Sequence, residues 1–240
     1  MIKELNIFLK KENILMAGLG FSAGLPIMLV FSTLSVWLVK AGIERSTVTL
    51  FSWAGFAYSF KFLWSPIVDK FQIPFLNKIG HRKSWLFITQ ILILLSIILA
   101  SYSNPQGNLK FMALSIVLIA FFSATQDIVI DAFRIESAPE KKQGPLSSMY
   151  LAGYRVAMIV SGAGSLWLAS YLGSETYQQD VWKQVYQIIS LFMSVGLICT
   201  LLSTEPNIKN KNKTNWINQT KFTLSTILSI IIFFIVFFNF

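Results

Sequence analysis

Residues 121–134 read FFSATQDIVIDAFR, and they place two carboxylates, Asp127 and Asp131, in a stretch otherwise apolar enough to cross a bilayer. Four residues apart on a helix, both side chains project from one face. An ionisable side chain at membrane depth is costly, usually faces the interior of a helix bundle, and marks a pathway for ions or substrate. These two acids therefore predict a functional cavity among membrane helices.

Composition indicates the class of protein. The 240-residue chain is 54% hydrophobic and only 13% charged, and its mean hydropathy is +0.60, whereas soluble domains carry about 25% charged residues. The net charge of +9 does not indicate nucleic-acid binding, because the basic residues lie in short loops between apolar runs, a pattern typical of membrane topology. Cys199 is the only cysteine, which excludes an intrachain disulfide. The sequence predicts an all-α, multi-pass protein of the lipid bilayer.

Seven apolar runs, most of them close to the ~20 residues that span a bilayer, follow one another along the chain. We predict membrane helices at residues 14–39, 48–68, 85–102, 111–133, 147–172, 184–203 and 222–238. The first six form a bundle over residues 14–203, preceded by a cytoplasmic N-terminus at 1–13. Residues 204–221 are polar and predict a cytoplasmic linker, and residues 222–240 contain a seventh helix that is cut short.

The loop lysines and arginines predict the orientation. Most of them lie at the N-terminus, in the loops after the second and fourth runs, and in the linker. The other side carries Lys40, Arg45, Lys110 and Lys183. Since basic loops stay in the cytoplasm, the N-terminus is expected inside and the end of the seventh helix outside.

Six helices, a basic linker and the start of a seventh helix resemble the N-terminal half of a major-facilitator-type transporter. That fold joins two six-helix halves. We therefore expect the chain to be a truncated or split form of a longer protein.

Further charges lie inside the predicted helices. At a rise of ~1.5 Å per residue, Lys61, Asp127 and Arg155 share a depth of roughly 10–12 Å from the cytoplasmic face, whereas Asp131 lies ~4 Å deep. Because unpaired buried charge is costly, we expect these groups to face a common cavity or to pair across helices. The guanidinium fork of Arg155 suits an anionic substrate. The alternative is a structural ion-pair network that keeps the helices in register.

Other patterns are weaker. Gly20 and Gly24, followed by Pro26, favour close helix packing and a kink in the first helix. His81 is expected to be a solvated loop residue, and the basic cluster beside it also fits simple topology marking. The sequence has neither a phosphate-binding glycine loop nor a metal-ligand cluster, so it predicts no cofactor, no metal and no enzyme. It also argues against an ATP-driven pump within this chain, and a separate ATPase subunit stays open as an alternative.

Four runs resemble the AmpG muropeptide permeases of the major facilitator superfamily, over about residues 15–206. They are LGFSAGLP at 19–26, KFLWSP at 61–66, SATQDIVIDA at 123–132 and GYR at 153–155. The resemblance implies a proton-coupled symporter of the bacterial inner membrane that imports anhydro-muropeptides, which are anionic glycopeptides released by cell-wall turnover, from periplasm to cytoplasm.

The charges at membrane depth and the resemblance together predict roles for single residues. The expected substrate and proton pathway consists of Lys61, Gln126, Asp127, Asp131 and Arg155. The expected cytoplasmic gate consists of Asp69, Arg82, Lys83 and Arg134, as a stretched version of the superfamily's loop motif, since residues 71–79 are an insertion.

Two alternatives to a complete permease remain open from the sequence. The chain is either a non-transporting fragment, or a half-transporter that acts beside a second-half protein or as a homo-oligomer. An ion channel is disfavoured, because the predicted helices contain no repeated filter-like loop.

Overall fold

The computed structural model describes residues 7–173 and 177–206, together with residues 228 and 231. Every regular element in this part of the chain is helical, which confirms the all-α prediction. Residues 1–6, the predicted linker beyond residue 206 and nearly all of the predicted seventh helix lie outside the described residues.

Five described helices are long and apolar enough to cross a membrane. They are Lys11–Lys40, His81–Ser101, Leu109–Ser137, Glu140–Leu172 and Gln179–Leu202, here called the first, third, fourth, fifth and sixth helices. The fourth begins where the Asn108 side chain accepts a hydrogen bond from the Phe111 amide at 3.0 Å, satisfying one of the free N–H groups of the first turn. The helix ends near residues 70–81, 137–140 and 202–206 form what we call the basic end of the bundle.

The second predicted run differs from a regular helix. Residues 45–70, here called the second segment, consist of the helices Arg45–Leu50, Phe56–Phe60 and Ser65–Lys70 joined by the 3-10 turns Phe51–Gly55 and Lys61–Leu63. Pro66 lies in the first turn of the last helix, where its missing N–H and fixed φ start a new helix rather than continue an old one. The helix predicted at 48–68 is thus a series of short helical pieces.

Three of the long helices contain irregular turns. The first consists of Lys11–Val30 and Ser32–Lys40, and the sixth of Gln179–Leu191 and Met193–Leu202. The fifth consists of Glu140–Ile159 and Ser165–Leu172 around the π turn Val160–Gly164. The carbonyl oxygen of Ser161, in that turn, accepts a hydrogen bond from the Thr33 hydroxyl at 2.8 Å. A carbonyl group in the irregular turn is thus bonded to the first helix.

The first helix lies at the centre of the bundle. It packs most extensively against the fifth helix and also contacts the fourth and the sixth. A Cβ atom at Gly20 would overlap the backbone carbonyl of Tyr150, and one at Gly153 would overlap that of Ala17. Close contact between backbones replaces hydrophobic driving force as the source of attraction between helices in lipid.

A polar layer crosses the buried core. Gln126 Nε2 donates to Ser22 Oγ at 2.8 Å, and Thr200 Oγ1 donates to Gln90 Oε1 at 2.9 Å. These bonds join the first helix to the fourth and the third to the sixth. Because Gln126 is held toward the bundle core, its neighbour Asp127 is turned toward the second segment.

The fifth helix is the least covered of the long helices. Only 22% of its most apolar stretch is buried, against 44–61% for the other four. Leu151, Val156 and Ile159 are more than half exposed along this face. The described part of the chain therefore leaves one apolar helix face open beside the second segment and the fourth helix.

Candidate functional site

The centre of the candidate site is an ion pair between the second segment and the fourth helix. Lys61 Nζ lies 3.9 Å from Asp127 Oδ2, and the side chains are 33% and 13% exposed. A separation of 3.9 Å is too long for a hydrogen bond. The Lys61 ammonium thus balances the Asp127 carboxylate by its charge alone, without a direct hydrogen bond.

The Trp64 side chain attaches the second segment to the fourth helix beside this pair. Trp64 Nε1 donates to Thr125 Oγ1 at 3.1 Å, and the Trp64 ring packs on Phe121 with centroids 4.9 Å apart. Since Trp64 is buried, it fixes the depth at which Lys61 meets Asp127.

Three tyrosine side chains lie near the Asp127 carboxylate. Tyr58 from the second segment and Tyr150 and Tyr154 from the fifth helix lie within electrostatic reach of it. The rings of Tyr150 and Tyr154 are 6.0 Å apart. Asp127 Oδ1 is buried and has no hydrogen-bond partner among the described residues. Asp127 Oδ1 is therefore an unused hydrogen-bond acceptor with three tyrosine side chains near it.

Asp131 lies one turn nearer the basic end and has a different environment. Its side chain is 47% exposed, and Oδ1 lies 3.4 Å from Arg134 Nη2. Arg134 also donates to Ser147 Oγ at 2.6 Å. An exposed pair of this kind contributes little free energy, so Asp131 and Arg134 form a local contact on one helix.

Arg155 is exposed on the open face of the fifth helix. Its Nη1 lies 3.7 Å from the sulfur of Met158, and none of the described carboxylates pairs with it. The structure thus brings Lys61 and Asp127 together but leaves Arg155 on an open surface. Gln126 points away from Lys61, into the core, where its bond to Ser22 fixes the rotation of the fourth helix about its axis.

Of the residues expected at the cytoplasmic gate, Asp69 pairs with the buried Arg82, whereas Lys83 and Arg134 bond elsewhere. Arg82, with a side chain only 7% exposed, lies 2.7 Å from Asp69. Its Nε and Nη2 donate to the two oxygens of Glu136 at 2.9 Å and 2.6 Å, the forked geometry that carboxylates favour. Lys83 donates to the Leu201 carbonyl at 3.1 Å. Arg82 therefore ties the second segment, the third helix and the fourth helix together at the basic end.

A second carboxylate caps the third helix from far along the chain. Glu205 accepts hydrogen bonds from the backbone amides of Arg82 at 2.8 Å and Lys83 at 3.0 Å. Gly80, with φ of +108°, precedes that helix, and a Cβ there would overlap the Glu205 carboxylate. The free N–H groups and positive dipole end of a helix favour an acid at this position.

Sequence reasoning missed both Glu136 and Glu205. Each acid lies just past the apolar part of its helix, at the same end of the bundle as Arg82. That shared placement was the signal that could have found them. They also line a cavity of about 330 Å³ at the basic end, together with Lys11, Glu12, Ser137 and Ser203.

The described residues contain no cluster of three or more histidine, cysteine or acidic side chains arranged to hold a metal ion. The chemistry available to this site is the exchange of a proton or of an ion-pair partner at the Asp127 carboxylate. A buried carboxylate lies 3.9 Å from one lysine, and the ion pairs of Arg82 lie at the basic end.

Comparisons with known proteins fit this geometry. Residues 15–240 match the Major Facilitator Superfamily. The chain is 38% identical to putative transporter AmpG 4 of Rickettsia felis over 79% of this chain and 44% of that protein. It is 39% identical to the anhydromuropeptide permease of Escherichia coli K12 over 84% of this chain and 39% of that protein.

The chain thus spans somewhat less than half the length of these curated relatives. The relatives confirm the resemblance to AmpG proteins, and the match to the superfamily covers most of the chain. This multi-pass membrane protein therefore belongs to the Major Facilitator Superfamily of transporters.

Proposed function

We propose that this chain provides half of a proton-coupled permease that carries anhydro-muropeptides across the bacterial inner membrane, from periplasm to cytoplasm. The observation that carries the proposal is the Lys61–Asp127 pair, a carboxylate held at membrane depth beside a replaceable cation. The similarity to a protein called anhydromuropeptide permease supports the choice of substrate.

Coupling follows from competition for Lys61. A muropeptide brings carboxylates into the site, and these attract the lysine ammonium away from Asp127. The aspartate then loses its balancing charge and takes up a proton, so that substrate and proton each favour binding of the other. Arg155, on the same side of the bundle, supplies a guanidinium fork for a second substrate carboxylate.

The open face of the fifth helix supports a partner. Lipid is a poor environment for the Arg155 guanidinium, and this helix is less buried than the other long helices. A second-half protein or another copy of this chain would cover the face and complete the cavity. Native mass measurement of active material should show such an assembly, and an active monomer would contradict it.

Replacing Asp127 by asparagine should abolish uptake driven by a pH gradient while preserving exchange of labelled anhydro-muropeptide between the two sides. The amide cannot carry the proton but fills the same space. Uptake into membrane vesicles holding this chain, alone and with a second half, measures both activities. Asp131→Asn is the matched control, because it removes a neighbouring, half-exposed carboxylate, and it should cost less.

Normal accumulation by Asp127→Asn would show that the acid is only a structural partner. Arg155→Ala should behave differently, with weaker substrate binding and coupling intact. Uptake by the chain alone would rule out the reading of a non-transporting fragment. Uptake only beside a second half would identify a half-transporter.

The proposed orientation has its own test. Reporter fusions at Lys78 and Lys141 should report the cytoplasm, and a fusion at Asn108 should report the periplasm, because the basic loops remain inside. Alkaline phosphatase activity, which requires export, separates the two sides. Export of the reporter at Lys141 would overturn the proposed orientation.

A further inference from the structure

Three buried polar groups with unused hydrogen-bonding capacity lie between the second segment and the fourth helix. They are the hydroxyls of Tyr58 and Ser123 and Oδ1 of Asp127. Ser123 lies one helical turn from Asp127 on the same face, and the Tyr58 hydroxyl lies within hydrogen-bonding reach of Ser123 and near Asp127. Buried polar groups in native proteins nearly always bond to protein or to ordered water. Asp127 Oδ1 therefore requires a small partner, and the two hydroxyls can bond to the same partner.

The chemistry of the three groups specifies that partner. Asp127 Oδ1 accepts only, whereas each hydroxyl can either donate or accept. Lys61 already faces the other oxygen of Asp127. The three atoms are shielded from the surface, which excludes a sugar or a peptide. A water molecule, which typically makes about three hydrogen bonds when buried, satisfies all of them.

We propose that Tyr58, Ser123 and Asp127 bind one water molecule that delivers the transported proton to Asp127. This inference rests on the proton coupling proposed above, and it adds two residues to the pathway. As an O–H bond forms on Oδ1, the water gives up one proton and takes another from the Ser123 or Tyr58 hydroxyl. That hydroxyl regains a proton from the side opposite the basic end.

The direction of delivery follows from the chain path. Ser123 precedes Asp127 on a helix that ends at the basic end, and Tyr58 precedes Lys61 on a segment that runs the same way. Both hydroxyls thus lie on the far side of the ion pair. The titratable groups around Asp127 are Lys61, Tyr58, Asp131, Tyr150 and Tyr154. Asp131 lies toward the basic end, on the exit side.

Infrared difference spectra between acidic and alkaline pH test the proposal on the full chain in lipid nanodiscs, without a transport assay. The wild type should show a carboxyl band that disappears in Asp127→Asn. It should also show a water O–H band that shifts in H₂¹⁸O. Tyr58→Phe and Ser123→Ala each remove a single oxygen, and both variants should lose the water band.

Ser115→Ala is the matched control. It removes another hydroxyl of the fourth helix, one that donates to the Phe111 carbonyl at 2.9 Å, and it should keep both bands. Persistence of the water band in Tyr58→Phe and Ser123→Ala, or its absence from the wild type, would overturn the relay. A wild-type protein in which the Asp127 carboxyl does not titrate would instead defeat the proton coupling itself.

Discussion

Replacing Arg82 by glutamine is expected to destabilise the bundle by about 3 kcal/mol, toward the lower end of the cost of breaking a buried ion pair. The change leaves Glu136 and Asp69 facing each other without the cation that joins them. The cost stays at that lower end because Asp69 is half exposed and water screens part of its charge. Thermal or denaturant unfolding of the purified chain measures the loss.

Lys83→Gln is the matched control for Arg82. Its ammonium lies in an exposed hydrogen bond to a carbonyl group, so the variant should unfold close to the wild type. The double variant Arg82→Gln/Glu136→Gln should recover part of the lost stability, since it removes an acid that has lost its partner. An Arg82→Gln protein as stable as the wild type would show that the network contributes nothing.

Replacing Gly153 by alanine is expected to destabilise the protein by at least about 2 kcal/mol, the range in which overpacking of a tight contact falls. The added methyl group would overlap the backbone carbonyl of Ala17, so the first and fifth helices must separate. Unfolding of the variant in detergent measures the cost. The same separation would move Tyr150 and Tyr154 away from Asp127, so substrate binding should weaken as well.

Gly164→Ala provides the control within the same helix. A Cβ there would meet only the Ile159 carbonyl at 3.7 Å, an ordinary contact. Alanine also loses less conformational freedom than glycine on forming a helix, by about 0.5–1 kcal/mol. This variant should therefore match or exceed the wild type. Equal losses at Gly153 and Gly164 would contradict the close approach of the two helices.

The long helices and the central ion pair were predictable from the sequence. Apolar runs of membrane length have few alternatives to a helix, because every backbone polar group must be satisfied within lipid. The helical rise then placed Lys61 and Asp127 at one depth, and the structure shows them 3.9 Å apart. The common depth of the two residues and the cost of burying an unpaired charge were sufficient to predict that pair.

Other features depend on tertiary contacts that a linear pattern does not contain. The second segment alternates between α and 3-10 turns and packs against the fourth helix, a contact that no apolar run predicts. Glu205 meets the third helix across 123 residues of sequence. Gln126 and Asp127 are neighbours with opposite environments, and only the rotation of the helix decides which of them faces the core.

The most direct test of the account is the proton balance of substrate binding. In lightly buffered medium with a pH-sensitive dye, anhydro-muropeptide is added to the assembly that contains this chain. We predict uptake of about one proton for each bound substrate, because the two ligands favour each other through Asp127. Asp127→Asn should bind substrate without taking up a proton. Wild-type binding with no proton uptake, or unchanged uptake in Asp127→Asn, would contradict the coupling mechanism.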